Sequence, residues 1–364
     1  VSENGLINLD RSNIQEEKMK VSNKQSNVLY HAIKTWEQDN LLTSAQAQAL
    51  KESIIPLSFN WKLLAKYLFW ISMACIIIAM GAMVADKLFQ SLIKQLFSDS
   101  PLRKCIVLSA ISASLYYTGM RRREKFPEKY YSNETFFFLG TLVSTAAIYQ
   151  LGEHFAMMRE HLSSLLLISF LLYGVLGLYL QSKLVWLFSI LSLGSWFGAE
   201  TGYCSGCGVY FLGMNYPLRF ILFGTTLTAI ASLLLPKIPH FKSLTKTTLI
   251  MGLLYLFIAL WILSLFGNSD FASWKKSTQI ELFLWSFLWA GTAALSTYIG
   301  IKLEDGVFKG FGLTFLFLNL YTRYFEYFWA PLYKPVFFLI LGLSLWLLAS
   351  KIERLWLSRI SWEN

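Results

Sequence analysis

Charge is in short supply in this chain. Asp, Glu, Lys and Arg make up 15% of its 364 residues, where an ordinary soluble domain carries about a quarter. The hydrophobic 55% is clumped into long runs, and together these facts exclude a long soluble fold. Proline is missing from the interior of the runs. Pro56, Pro101, Pro127, Pro217, Pro236, Pro239, Pro331 and Pro335 all lie between them or at their edges, where a lost N–H costs least. There is no P-loop, no HExxH, no GxSxG elbow and no dinucleotide glycine fingerprint. This argues against ATP-driven transport within the chain and against soluble-type hydrolysis, and no cofactor is expected. Residues 1–60 hold no apolar signal-peptide core, so the first apolar run reads as the targeting signal itself. The chain opens on Val1, and Met19 reads as an alternative start after a polar lead.

What is present is a succession of apolar runs, beginning with Trp61–Ala85. From Tyr67 onward this stretch offers close to twenty apolar residues without a charge, about what a helix needs to cross a ~30 Å hydrocarbon core. Further runs follow at about Cys105–Met120, Thr135–Gly152, Leu162–Gln181, Leu184–Ala199, Leu218–Leu235, Thr247–Phe266, Ile280–Gly300, Phe308–Phe328 and Val336–Ser350. The expected fold class is therefore all-α: a polytopic helical membrane bundle of about ten transmembrane helices over residues 61–350. Cys105–Met120 and Leu184–Ala199 are the shortest runs. Leu88–Phe97 is amphipathic and too short to cross, so it is expected to lie in the interface.

The net charge of +10 would point to nucleic acid in a soluble protein. Here the basic residues sit between apolar runs, so they are read as setting orientation and facing anionic headgroups. Membrane lipids are the expected partner and nucleic acid is not. The loop after the second run carries Arg121, Arg122, Arg123, Lys125 and Lys129 and is the strongest cytoplasmic marker. With an even number of crossings both termini fall inside, including a tail at 351–364. The loop with Lys87, Lys94, Arg103 and Lys104 is the exception, landing outside.

Residues 1–24 read as a polar, disordered lead. Residues 25–56 read as a cytoplasmic helical hairpin. Leu29, Ile33 and Trp36 share one face of a first helix, and Asp39-Asn40 ends it. Thr43 and Gln46 form a capping box for a second helix with an Ala47, Leu50, Ile54 stripe, and Pro56 closes the unit. So small a pair cannot stand alone. It is expected to pack on the membrane face, on a second copy or on a partner. An internal echo also appears. Spans three–four and nine–ten each hold a Gly with a Tyr nine positions later (Gly140 and Tyr149; Gly312 and Tyr321), then two ionisable residues. The pattern fits a parallel repeat or chance similarity within a restricted alphabet.

Taken together, WEQDNLLTSAQAQAL (Trp36–Leu50), AAIYQLGEHF (Ala146–Phe155), SKLVWLFSILSLGSWFG (Ser182–Gly198), LYTRYFEYF (Leu320–Phe328) and the closing LGLSLWLLASKIER resemble the bacterial domain-of-unknown-function family 2157. The resemblance runs from about Asn27 onward. The CSGC loop and the Val1–Ser26 lead depart from it. It implies a short soluble hairpin, a many-span region and a bacterial cytoplasmic-membrane location, and it carries no established activity.

Candidate chemistry is confined to a few places. Arg323 and Glu326, at i, i+3 in the outer third of the ninth span, can pair. Ionisable residues at membrane depth mark substrate or proton pathways, and the alternative is a structural pair near the interface. Gln150, Glu153 and His154 close the third span, with Glu160 and His161 opening the fourth. They read as a proton relay, as a divalent-metal site, or as a hydrated loop. Cys204 and Cys207 form CSGC, which permits a disulfide or, less readily, thiol exchange, since no βαβ pattern surrounds it. Gly194, Gly198 and Gly202 let helices approach closely, within the bundle or across a dimer. The expectation is a small-molecule or ion permease with a pathway at Gln150, Glu153, His154, Arg323 and Glu326. A non-transporting scaffold or sensor acting through the hairpin is the alternative, and a redox protein using CSGC comes third. No catalytic residue and no metal site is assigned.

Overall fold

A computed structural model of the chain describes residues 19–57, 61–86, 100–155, 161–206, 210–269 and 279–362. The chain divides into two compact units, Val1–Leu96 and Phe97–Asn364.

In the first unit, β1 (Met19–Ser22) leads into α1 (Asn23–Gln38), then α2 (Ser44–Ser53), β2 (Ile54–Leu57) and α3 (Trp61–Ala85). β1 and β2 pair in parallel, Met19 opposite Ile54 and Ser22 opposite Leu57. Parallel strands require a crossover of a dozen residues or more, and α1–α2 is that crossover. The expected disordered lead over 1–24 is corrected accordingly: residues 19–22 are a strand and α1 starts at Asn23, while residues 1–18 lie outside the described residues. Pro56 does not close the unit but sits within β2 opposite Val21. A two-stranded sheet is all edge, which is where a strand tolerates proline.

The link between the helices turns at Asn40, whose φ is +58°. Gln46 N–H then donates to Thr43 Oγ1 at 3.4 Å, and Thr43 N–H donates back to Gln46 Oε1 at 3.0 Å. This closes the capping box. Ile33, Ala47 and Ile54 form the core with Leu29, Tyr30 and Leu42 against them. Trp36 and Leu50, expected on the buried stripes, are instead exposed. The stripe of α1 runs from Ser26 to Ile33 and ends a turn before Trp36.

The second unit is a helical bundle. Its helices are α4 (Pro101–Lys125), α5 (Tyr130–His154), α6 (Leu162–Leu180), α7 (Lys183–Cys204), α8 (Tyr216–Ala229), α9 (Thr245–Phe266), α10 (Gln279–Lys302), α11 (Gly306–Phe328) and α12 (Lys334–Trp362). α8 continues through a π turn at Ile230–Leu234 and a 3-10 turn at Leu235–Lys237. With α3, a helix covers each of the ten apolar runs. Among the described residues, six stretches are long and apolar enough to cross a membrane: α5, α6, α7, Tyr216–Lys237, α9 and Leu282–Lys302. Among the described residues the protein is thus an all-helical membrane protein apart from two short strands. Leu88–Phe97 lies outside the described residues.

The closely packed pairs are α4–α5, α6–α7, α8–α9 and α10–α11. Each turns through a short link. Ser182 Oγ caps α7 by accepting from Val185 N–H at 3.3 Å, and Asp305 Oδ1 caps α11 by accepting from Val307 N–H at 2.7 Å. The turns meet at one end of the bundle. Arg123 Nη1 donates to the Leu180 carbonyl at 2.5 Å, and Gln181 Nε2 to the His240 carbonyl at 3.1 Å. A cavity lined by Lys242, Lys246, Glu304 and Asp305 brings in the fourth turn. In α8–α9, a Cβ on Gly224 would strike the Leu256 backbone and one on Gly252 the Thr228 backbone, so the two helices meet backbone to backbone. α9 is the most buried of the six apolar stretches; it packs on α7, α8, α10 and α11.

The echoed hairpins are not the closely packed ones, since α5 touches α6 far less than it touches α4. Gly140 and Gly312 nonetheless do the same job. Gly140 seats Tyr116 of the preceding helix, and Gly312 meets Thr297 of the helix before it.

Candidate functional site

α11 buries Phe308, Gly312, Phe315, Asn319 and Arg323, a stripe at helical spacing that faces α9 and α10. Its first half is apolar, toward the hairpin turns, and its second half is polar, toward the opposite end. The carboxamide of Asn319 donates to the Ser286 carbonyl of α10 at 3.0 Å and to Ser286 Oγ at 3.1 Å. One turn on, Arg323 Nη2 donates to the Ser264 carbonyl of α9 at 3.1 Å and lies 3.4 Å from Ser264 Oγ. Glu326 pairs with Arg323 through Nη1, the side chains being 21% and 10% exposed. Ser264 itself is fully buried, its hydroxyl donating to the Trp261 carbonyl at 2.7 Å.

Three N–H donors around this seam are buried without an acceptor: Arg323 Nε, Trp261 Nε1 and Trp289 Nε1. Such donors are rare in folded proteins. Below the seam, Phe315 stacks on Phe257 with ring centroids 4.7 Å apart and stands edge-on to Trp289 at 6.5 Å. Aromatic side chains thus close the seam toward the hairpin turns. The arrangement holds a cation beside a carboxylate in an apolar bundle, with hydrogen-bond donors in excess. It is suited to a hydrogen-bond acceptor, to a proton, or to an ion that exchanges with the pair.

The other expected residues lie elsewhere. Gln150 and Glu153 are half-buried and His154 exposed at the end of α5, with the His154 ring 4.9 Å from that of Phe155. α5 packs chiefly on α4, α6 and α7, whereas α11 packs on α9 and α10. No hydrogen bond or ion pair among the described residues joins the two sets. Three cavities are lined by α4–α5–α6, by α7–α8–α9 and by residues of the hairpin turns, and none of the five expected residues lines them. The five expected residues thus fall into two sets, on α5 and on α11.

His161 is exposed at the start of α6, its ring 5.4 Å from that of Tyr203, and Glu160 lies outside the described residues. Among the described residues no three His, Cys, Asp or Glu gather as metal ligands. Cys204 is exposed, and Cys207 lies outside the described residues, so the expected pair is not formed within them. Gly194, Gly198 and Gly202 seat Tyr255, Phe220 and Tyr216, which makes them packing residues of the bundle.

Sequence reasoning missed two buried charges. Glu134, near the start of α5, is 2% exposed and accepts from Ser182 Oγ at 2.6 Å. Arg219, in the first turn of α8, is 1% exposed, with its guanidinium 4.2 Å from the Tyr216 ring and Nε donating to the Met214 carbonyl at 3.0 Å. Arg219 sits in a first helical turn and Glu134 just past one, close to loops, where an exposed charge is the ordinary expectation.

No protein-family model matches the chain, and no curated protein or solved structure is similar to it.

Proposed function

We propose that the chain is a polytopic protein of the bacterial cytoplasmic membrane that passes a small molecule or ion along the α9–α10–α11 seam. In this reading the ten helices α3 to α12 all cross, and both termini are cytoplasmic. The basic residues support that orientation: Arg121, Arg122, Arg123, Lys183, Lys242 and Lys246 gather at the end where the hairpin turns meet, as the positive-inside rule requires of a cytoplasmic face. The motifs from Trp36 to Arg354 support grouping the chain with domain-of-unknown-function family 2157.

The observation that carries the transport reading is the Arg323–Glu326 pair, with Arg323 buried and Glu326 partly buried, and with Arg323 Nε lacking an acceptor. Charges at that depth are costly and mark substrate or proton paths. Proton flux into proteoliposomes loaded with a pH-sensitive dye tests it. Wild type should dissipate an imposed gradient faster than empty vesicles, and Glu326→Gln should remove the difference. Equal rates for wild type and variant would count against this site.

A second reading, a scaffold or sensor working through the N-terminal helical pair, draws on Val28, Trp36, Leu41 and Leu50. These four large apolar side chains are exposed on the α1–α2 pair and its link, as an interaction surface would be. Under this reading, deleting residues 27–56 abolishes a co-purifying partner.

A further inference from the structure

Between α4, α5 and α6 lies a partly open cavity of about 470 Å³. Its walls are largely apolar, with Ala113, Met120, Ile148, Leu172 and Leu176 among them. Three buried hydroxyl groups that reach it are already engaged. Ser112 Oγ donates to the Gly140 carbonyl at 2.9 Å, Ser144 Oγ to the Thr141 carbonyl at 2.9 Å, and Tyr116 shares a 3.0 Å hydrogen bond with Thr141. The cavity is therefore suited to hydrocarbon.

Its turn-facing end is different. Tyr117 and Leu180 line it there, and each is touched by an arginine of the α4 C-terminus. Arg121 Nε donates to Tyr117 Oη at 2.9 Å, and Arg123 Nη1 to the Leu180 carbonyl at 2.5 Å. Arg122, between them, donates to Ser132 Oγ at 3.2 Å. Glu124 is close enough to attract Arg121. Yet the ion pairs among the described residues are Lys51–Glu37 and Arg323–Glu326, so none of the three arginines is neutralised by one. Twelve residues of helix separate Ser109, in the apolar part, from Arg121. That is ~18 Å at the α-helical rise, close to the ~15 Å of one leaflet of a ~30 Å core.

We propose that this groove binds one anionic glycerophospholipid, with an acyl chain along α4–α5–α6 and the phosphate on Arg121. The apolar walls end where the three arginines, none held in a direct ion pair, begin, which is the polarity of a lipid lying in one leaflet. Basic pockets between helices hold anionic headgroups by the same physics. The site is independent of the seam at Arg323.

Native mass spectrometry of the full chain in detergent, titrated with phosphatidylglycerol against phosphatidylcholine of the same chains, tests this. Wild type should retain one phosphatidylglycerol in preference. Arg121→Gln should weaken phosphatidylglycerol about fivefold, the equivalent of about 1 kcal/mol per cation near a membrane surface, and leave phosphatidylcholine unchanged. Ala113→Trp, which fills the groove, should lower both. Arg121 and Ala113 are both exposed, so neither change removes core packing. Equal retention of the two lipids by wild type, or an Arg121→Gln variant with wild-type preference, would overturn the proposal. So would release of phosphatidylglycerol by inorganic phosphate, or a dimer that excludes both lipids.

Discussion

Arg323 is where structure and function can be separated most cleanly. Its charge is balanced by Glu326 on one side and by the Ser264 carbonyl on the other. Removing one partner of a buried pair leaves an uncompensated charge and costs about 3–5 kcal/mol, whereas replacing both with well-packed apolar residues is often neutral. Glu326→Ala should therefore destabilise the protein strongly, while Arg323→Met with Glu326→Leu should return thermal stability close to wild type. If the pair also carries flux, the double variant stays folded and inactive in the vesicle assay. A stable and fully active double variant would reduce the pair to packing. Both residues could be read from the sequence because charges stand out in an apolar run. Their partners could not. Ser264 and Asn319 are neutral residues of the kind found throughout membrane helices, and only the approach of α9 and α10 gives them a role. Gln150, Glu153 and His154 were equally visible, but visibility says nothing about which neighbour a helix end faces.

At the scale of elements, the existence and order of the helices were legible because long apolar runs leave few alternatives, while their ends were not: Cys105–Met120 lies within Pro101–Lys125, and Val336–Ser350 within Lys334–Trp362. β1 and β2 were not. Four residues carry no periodicity, and Pro56 argued against a strand. Which helices pair was hidden too, since pairing depends on where small residues let backbones meet. The α8–α9 contact makes this testable. Gly252 has the Thr228 backbone where its Cβ would be, and Gly224 has that of Leu256. Overpacking a tight core costs about 1–3 kcal/mol, and here the clash is with backbone, which cannot rotate away. Gly252→Val should lower the melting temperature of the purified protein. Gly291→Val, with open space around its Cβ position, is the control and should leave it unchanged. Equal effects of the two changes would mean that α8 and α9 do not touch as described.

For the whole molecule, the arrangement of turns makes a claim that composition alone could not make. The four links between closely packed helices come together at one end through Arg123, Gln181, His240 and the Asp305 region, so under the proposed topology they share one side of the membrane. The same topology puts the links at 210–214 and 330–333 on the other side. In a chain whose four cysteines are replaced by serine, single cysteines at Glu128, Lys242 and Glu304 should all be labelled by a membrane-impermeant thiol reagent from the same side. Cysteines at Leu212 and Tyr333, which are strongly exposed, should be labelled only from the other. The proposed ten crossings add a further requirement: a cysteine at Gln38 must fall with the first group, because in that topology α3 and α4 together return the chain to the side it left. If Gln38 falls with Leu212 instead, an odd number of helices crosses before the α4–α5 turn. The cytoplasmic N-terminus, and with it the placement of the helical pair beside cytoplasmic partners, would then be lost, while the grouping of the four turns would stand.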